Sequence, residues 1–264
     1  MRLLLRRLSL SLILFLPISC REPTVTTVEN LVYEVVAEHP HDPLAFTQGL
    51  AYGDGVVYEG TGLKGQSSLR EVDWKTGLVR RIHRLDRRYF GEGVTLFKGL
   101  LYQLTWLDEK GFVYTAGDFK TVREFSYIGQ GWGLTHDGTH LIMSNGSDLL
   151  TFRNSETFEV VRQLSVRWKG EPLKQLNELE FIDGSVFANV WKTPFIVRIH
   201  PETGDVTGVL DLSLLEKKAQ AGAGESAIDV LNGIAWKDDT NTLLVTGKFW
   251  PLLFEIRLKE SGTQ

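Results

Sequence analysis

The chain has one cysteine, Cys20, among 264 residues. An intramolecular disulfide and a cysteine-based metal site are therefore both excluded. The six histidines, at 39, 41, 83, 136, 140 and 200, never form HExxH or another ligand spacing. His136 precedes Asp137-Gly138 and reads as a turn residue. No Gly-x-Ser-x-Gly elbow occurs, which argues against a hydrolase of that kind. Positive charge is not in excess: 29 Lys and Arg face 33 Asp and Glu, for a formal charge of −4. The basic stripe of a nucleic-acid binder is missing. The apolar run Leu8 to Ile18 is too short to span a bilayer comfortably.

That run has another reading. Arg2, Arg6 and Arg7 precede it and Ser19-Cys20 follows, the pattern of a secretory signal over residues 1–19. Its removal takes away three arginines and no acid, so the charge falls from −4 to −7. Leu16-Pro17-Ile18-Ser19 before Cys20 resembles the lipobox of bacterial lipoproteins. That implies a lipidated Cys20, a polar tether over 20–30, and an exported protein, periplasmic or at the cell surface, with no other membrane contact. The alternative is a secreted protein with a free thiol.

What the chain has in quantity is glycine and aromatics, 26 Gly and 7 Trp, a mixture that suits turn-rich β structure. Five short phrases recur: Thr47-Gln48-Gly49-Leu50-Ala51, Gly91-Glu92-Gly93-Val94-Thr95, Gly131-Trp132-Gly133-Leu134-Thr135, Leu176-Asn177-Glu178-Leu179-Glu180 and Leu231-Asn232-Gly233-Ile234-Ala235. With Gln48, Glu92, Trp132, Asn177 and Asn232 aligned, the steps are 44, 40, 45 and 55 residues. That period fits a β-propeller blade. Turn signals such as Gly53-Asp54-Gly55, Lys98-Gly99 and Asp183-Gly184 separate each phrase from a second apolar run, and a third and fourth follow. The fifth unit lacks its fourth strand, which Leu31 to Ala37 at the other end can supply. The sequence thus predicts an all-β, five-bladed propeller over 31–264, with four antiparallel strands per blade and the last blade closed by the N-terminal strand. The long last step contains Leu214-Leu215-Glu216-Lys217-Lys218, read as a short helix stopped near Gly222 in a surface insertion.

Equivalent positions of a propeller converge on its axis, so the unlike phrase heads are the candidate site. Glu92 lies between two glycines, where close backbone approach is easy. Among tryptophans its pKa is expected to rise, as proton transfer requires. The plainer role is to satisfy backbone N–H groups across the channel. Lys248 ends an inner strand and, if buried, needs an anionic partner, which Glu92 can supply. Trp106, Trp132, Trp191 and Trp250 read as blade packing or pocket wall. Gly60-Thr61-Gly62-Leu63-Lys64-Gly65 matches GxGxxG, but residues 67–73 read as a strand, so it is taken as a mobile glycine loop at the channel rim.

At Phe46-Thr47-Gln48-Gly49-Leu50, Phe90-Gly91-Glu92-Gly93, Gln103-Leu104-Thr105-Trp106, Gly131-Trp132-Gly133-Leu134-Thr135-His136, Ala188-Asn189-Val190-Trp191 and Val245-Thr246-Gly247-Lys248 the chain resembles the plant and bacterial glutaminyl cyclases, glutaminyl-peptide cyclotransferases of the five-bladed propeller type. The resemblance covers about residues 31–258; Asn145 departs from an expected Asp. It implies cyclisation of N-terminal glutamine on peptides or proteins to pyroglutamate, with ammonia released, at one channel entrance. It implies Glu92 as proton carrier, with Gln48, Asn177 and Lys248 as further catalytic residues. It implies Phe46, Trp106, Trp132 and Trp191 as substrate-binding residues. The scheme needs no metal and no cofactor. A monomer is expected. A non-catalytic, lipid-anchored propeller that binds a peptide or protein partner is the alternative.

Overall fold

Tight hairpins set the blades. At Asp54-Gly55, Lys98-Gly99 and Asp183-Gly184 both turn residues have φ between 47° and 78°, the type I′ geometry that matches the twist of paired strands. The structure, a computed structural model, describes residues 27–259. The segment read as a secretory signal, and Cys20, lie outside the described residues.

Blade one is Thr47–Gly53, Val56–Thr61, Ser68–Asp73 and Leu78–Arg84. Blade two is Gly91–Phe97, Leu100–Thr105, Lys110–Thr115 and Thr121–Ser126. Blade three is Leu134–His136, His140–Met143, Leu149–Asn154 and Val160–Ser165. Blade four is Leu176–Ile182, Ser185–Val190, Phe195–Ile199 and Val206–Asp211. Blade five is Leu231–Lys237, Thr242–Gly247 and Leu252–Leu258, completed by Tyr33–Pro40. The innermost strands neighbour one another in order, and the fifth meets the first, so the ring closes. Five apolar clusters hold it, one between each successive pair of blades. The innermost strands are buried along nearly their whole length, polar heads included; the outermost strand Leu78–Arg84 alternates exposed with half-buried.

The N-terminal segment serves two blades rather than one. Tyr33–Pro40 pairs antiparallel with Leu252–Leu258, Tyr33 opposite Leu258, and closes blade five as expected. Glu29–Leu31 instead pairs parallel with Val206–Asp211 and adds a fifth strand to blade four. The stretch read as tether therefore gives Glu29 and Asn30 to a sheet. The helix is Ser213–Ala223, and Gly224, at φ 61°, ends it rather than Gly222. It buries Leu215 and Ala219 between blades four and five.

Four of the five phrases fall on bulges. The ladder register slips between Thr47 and Gly49, Gly91 and Val94, Leu176 and Leu179, and Leu231 and Ile234. A bulge re-aims a side chain out of the pleat, and the residues so released include Gln48, Glu92, Asn177 and Asn232. The adjoining glycines let blades touch backbone to backbone. A Cβ on Gly93 would lie 2.5 Å from the Trp132 carbonyl oxygen. In blade four Glu178 takes the glycine's place, and its carboxylate crosses the axis to accept the N–H groups of Leu50 and Ile234.

The seam between blades five and one carries a buried ionic network. His41 Nδ1 lies 2.7 Å from the Trp250 carbonyl oxygen and Nε2 lies 3.0 Å from Glu59 Oε1. Both neighbours are acceptors, so both ring nitrogens carry protons and His41 is an imidazolium. Glu59 also accepts the Thr47 hydroxyl, and Arg70 stands 3.7 Å from its other oxygen while bridging to Asp42. These partners outweigh burial: the His41 pKa is raised and the Glu59 pKa lowered.

Candidate active site

One cavity of about 210 Å³ opens on the axis, lined by Phe46, Gln48, Phe90, Glu92, Trp106, Trp132, Asn177, Trp191 and Lys248. All eight side chains expected at the site meet there, and every blade contributes. Phe90 is an addition, since an aromatic just ahead of a glycine-flanked head reads equally as packing. Trp250 is absent from the wall: it is fully buried, and its indole N–H donates to the Asp229 carbonyl. His136 proves half-buried at the end of an inner strand, with Nε2 at 2.9 Å from the Leu96 carbonyl.

The aromatic wall is built edge to face. Phe46 meets Phe90 and Phe249 with centroids 6.0 and 5.2 Å apart, Phe90 meets Trp106 at 5.6 Å, and Trp132 meets Trp191 at 5.5 Å and 82°. The GxGxxG run serves this wall. A Cβ on Gly62 would fall 2.4 Å from the Phe90 ring, and one on Gly60 would fall 2.7 Å from the Glu92 carbonyl oxygen. The run then turns through hydrogen bonds from Gln66 and Ser67 to Leu63, and the strand Ser68–Asp73 follows.

Glu92 is almost fully buried, and its carboxylate makes no hydrogen bond to another described residue. Burial drives its pKa well above the usual carboxylate range, against the pull of Lys248. The Lys248 pKa is lowered by burial, against Glu92 and Asp229. Glu92 and Lys248 thus face one cavity and feel each other's charge, without a direct salt bridge between them. The ammonium sits 4.6 Å from the Phe46 ring centroid, a cation–π contact. The turn behind it is strained: Phe249 has φ 62°, and its N–H is tied to Ala45 of blade one.

The two carboxamides differ in state. Asn232 donates to the Thr47 carbonyl at 3.1 Å and to Gln48 Oε1 at 3.4 Å. Asn232, alone among the phrase heads, does not line the cavity and is a structural brace, and Gln48 keeps its NH2 as a donor. Asn177 Oδ1 is buried without a partner, an acceptor that a bound molecule can satisfy. Among the described residues no three His, Cys, Asp or Glu side chains group as metal ligands.

The family model of the glutamine cyclotransferases matches residues 9–258. The chain belongs to the glutamine cyclotransferase family. A family relative, the glutaminyl-peptide cyclotransferase of Arabidopsis thaliana, is 45% identical over 233 residues, covering 88% of this chain and 72% of its own. The crystal structure of Myxococcus xanthus glutaminyl cyclase aligns with a TM-score of 0.83 at 35% identity, over 88% of this chain and 99% of that one.

Proposed function

We propose that this enzyme converts the N-terminal glutamine of peptides or proteins to pyroglutamate with release of ammonia. The carrying observation is the cavity itself: one carboxyl group with no hydrogen-bond partner among the described residues, one ammonium and two carboxamides inside an aromatic wall. Its volume suits one terminal residue rather than a peptide. The substrate's α-amine attacks its own γ-amide carbon, so the enzyme chiefly imposes the folded conformer. The new C–N bond forms as the amine gives a proton to Glu92. The tetrahedral intermediate's oxyanion faces Lys248 and the Gln48 NH2. Asn177 Oδ1 accepts an N–H of the substrate and orients it. The bond to the amide nitrogen then breaks as Glu92 returns the proton, and ammonia leaves.

Ammonia release from a glutaminyl dipeptide tests the activity; no turnover by the wild type would refute it. The pH profile tests the mechanism. Glu92 must start each turnover ionised, so kcat/KM rises through a midpoint well above the ordinary 4.5. It declines below the ordinary lysine range as Lys248 loses its proton. The substrate's own amine, near pH 8, adds a second acidic limb. An acidic midpoint that follows only the substrate amine across a peptide series would remove Glu92 from the role.

The chain acts, on this reading, as an exported monomer held to a membrane through lipidated Cys20. The mass of the mature N-terminus checks this: a lipid-modified Cys20 is expected, and an unmodified thiol there would exclude the anchor.

A further inference from the structure

Two indoles of the wall share one acceptor. Trp106 Nε1–H donates to Gln130 Oε1 at 2.8 Å, and Trp132 Nε1–H donates to the same oxygen at 2.9 Å. An indole N–H can only donate, so the Gln130 atom facing both rings is its oxygen and the NH2 group points elsewhere. Trp106 follows the second strand of blade two, and Trp132 heads the first strand of blade three. One side chain thus fastens the wall across a blade boundary. The backbone seats it there, since Gly131 N–H donates to the Trp106 carbonyl at 3.0 Å. Neither indole N–H has another acceptor among the described residues.

We propose that Gln130 is a positioning residue for the reaction, holding the faces of Trp106 and Trp132 where they receive the aliphatic chain of the terminal glutamine. This rests on the cyclase reading above. With the Trp106 and Trp132 donors spent on Gln130, polar contact with the substrate falls to Glu92, Lys248, Gln48, Asn177 and the Trp191 indole. The tryptophans supply shape and exclude water. Losing the clamp frees the two rings, so the effect falls on binding more than on proton transfer. Gln130 itself is exposed, so its replacement leaves the fold intact.

The test compares Gln130→Leu, which removes the acceptor, with Gln130→Glu, which keeps it. Two readouts are taken: steady-state kinetics on a glutaminyl dipeptide, and the indole N–H resonances of 15N-labelled enzyme without substrate. Gln130→Leu is expected to raise KM roughly tenfold, the scale of one or two lost hydrogen bonds, with kcat within about threefold. Two of the seven tryptophan indole resonances should shift, those assigned by Trp106→Phe and Trp132→Phe. Gln130→Glu should return KM to within about threefold of wild type. A wild-type KM in Gln130→Leu, unmoved Trp106 and Trp132 resonances, or equal impairment by Gln130→Glu would each overturn the proposal. The resonances need no turnover, so an inactive enzyme would refute the cyclase reading while the clamp stayed measurable.

Discussion

Glu92→Gln is expected to reduce kcat/KM for a glutaminyl dipeptide by roughly 10²- to 10⁴-fold, the usual worth of a positioned proton carrier. The two side chains are nearly the same size, so the cavity keeps its shape, but a carboxamide cannot take and return a proton near neutral pH. The same change should not weaken the fold. Glu92 has a raised pKa because burial disfavours its charge. A raised folded-state pKa contributes stability below the unfolded value that is lost as pH rises through the folded value. The melting temperature of Glu92→Gln should therefore equal or exceed the wild type, and the gain should grow with pH, a trade of stability for activity. Ammonia release and thermal melts at two pH values check both halves. Turnover within about threefold of wild type would end the proton-carrier role, since a loss that small is far below what general acid–base catalysis supplies.

Glu59→Ala is expected to cost about 3–5 kcal/mol, because it strands a charged partner in the interior. His41 loses its carboxylate, the Thr47 hydroxyl loses its acceptor, and Arg70 loses a nearby anion. For a chain of this size that is a fall in Tm on the order of 10 °C. The raised His41 pKa contributes stability fully present below its ordinary 6.5 and lost as pH rises through the folded value. The lowered Glu59 pKa contributes stability present above 4.5 and lost as pH falls through the folded value. The wild-type advantage is thus widest between 4.5 and 6.5 and narrows on either side. Urea unfolding of both proteins at mildly acidic and mildly alkaline pH measures it, and a pH-independent gap would dissolve the ion pair. Activity should suffer as well, since Thr47 adjoins Gln48 and its carbonyl anchors Asn232.

The ring and most of its site were legible because both are written locally. Four of the five phrases follow the head residue with a glycine, which lets neighbouring inner strands approach backbone to backbone. The closing strand was legible from a missing one. What escaped was written across blades. Gln130 accepts from indoles on two different loops, and nothing in Gly129-Gln130-Gly131 announces them. His41 offers no ligand spacing because its partners are Glu59 on a neighbouring strand and a carbonyl 209 positions away. The Lys248–Glu92 partnership was read from the place of Lys248 at the end of an inner strand; that the ammonium also lies over the Phe46 ring was not legible, because Phe46 comes from the first blade and Lys248 from the fifth. The helix stop slipped from Gly222 to Gly224 because two glycines lie close together and only backbone geometry tells them apart.

The cavity draws Phe46 and Gln48 from the first blade, Phe90, Glu92 and Trp106 from the second, Trp132 from the third, Asn177 and Trp191 from the fourth and Lys248 from the fifth. No fragment short of the whole circle owns a working set. Catalysis is therefore a reporter of circular integrity. If any single blade detaches through local opening, turnover falls silent while four sheets still give a folded spectrum. Heat inactivation should precede the loss of β signal, by a margin that measures how independently the blades let go.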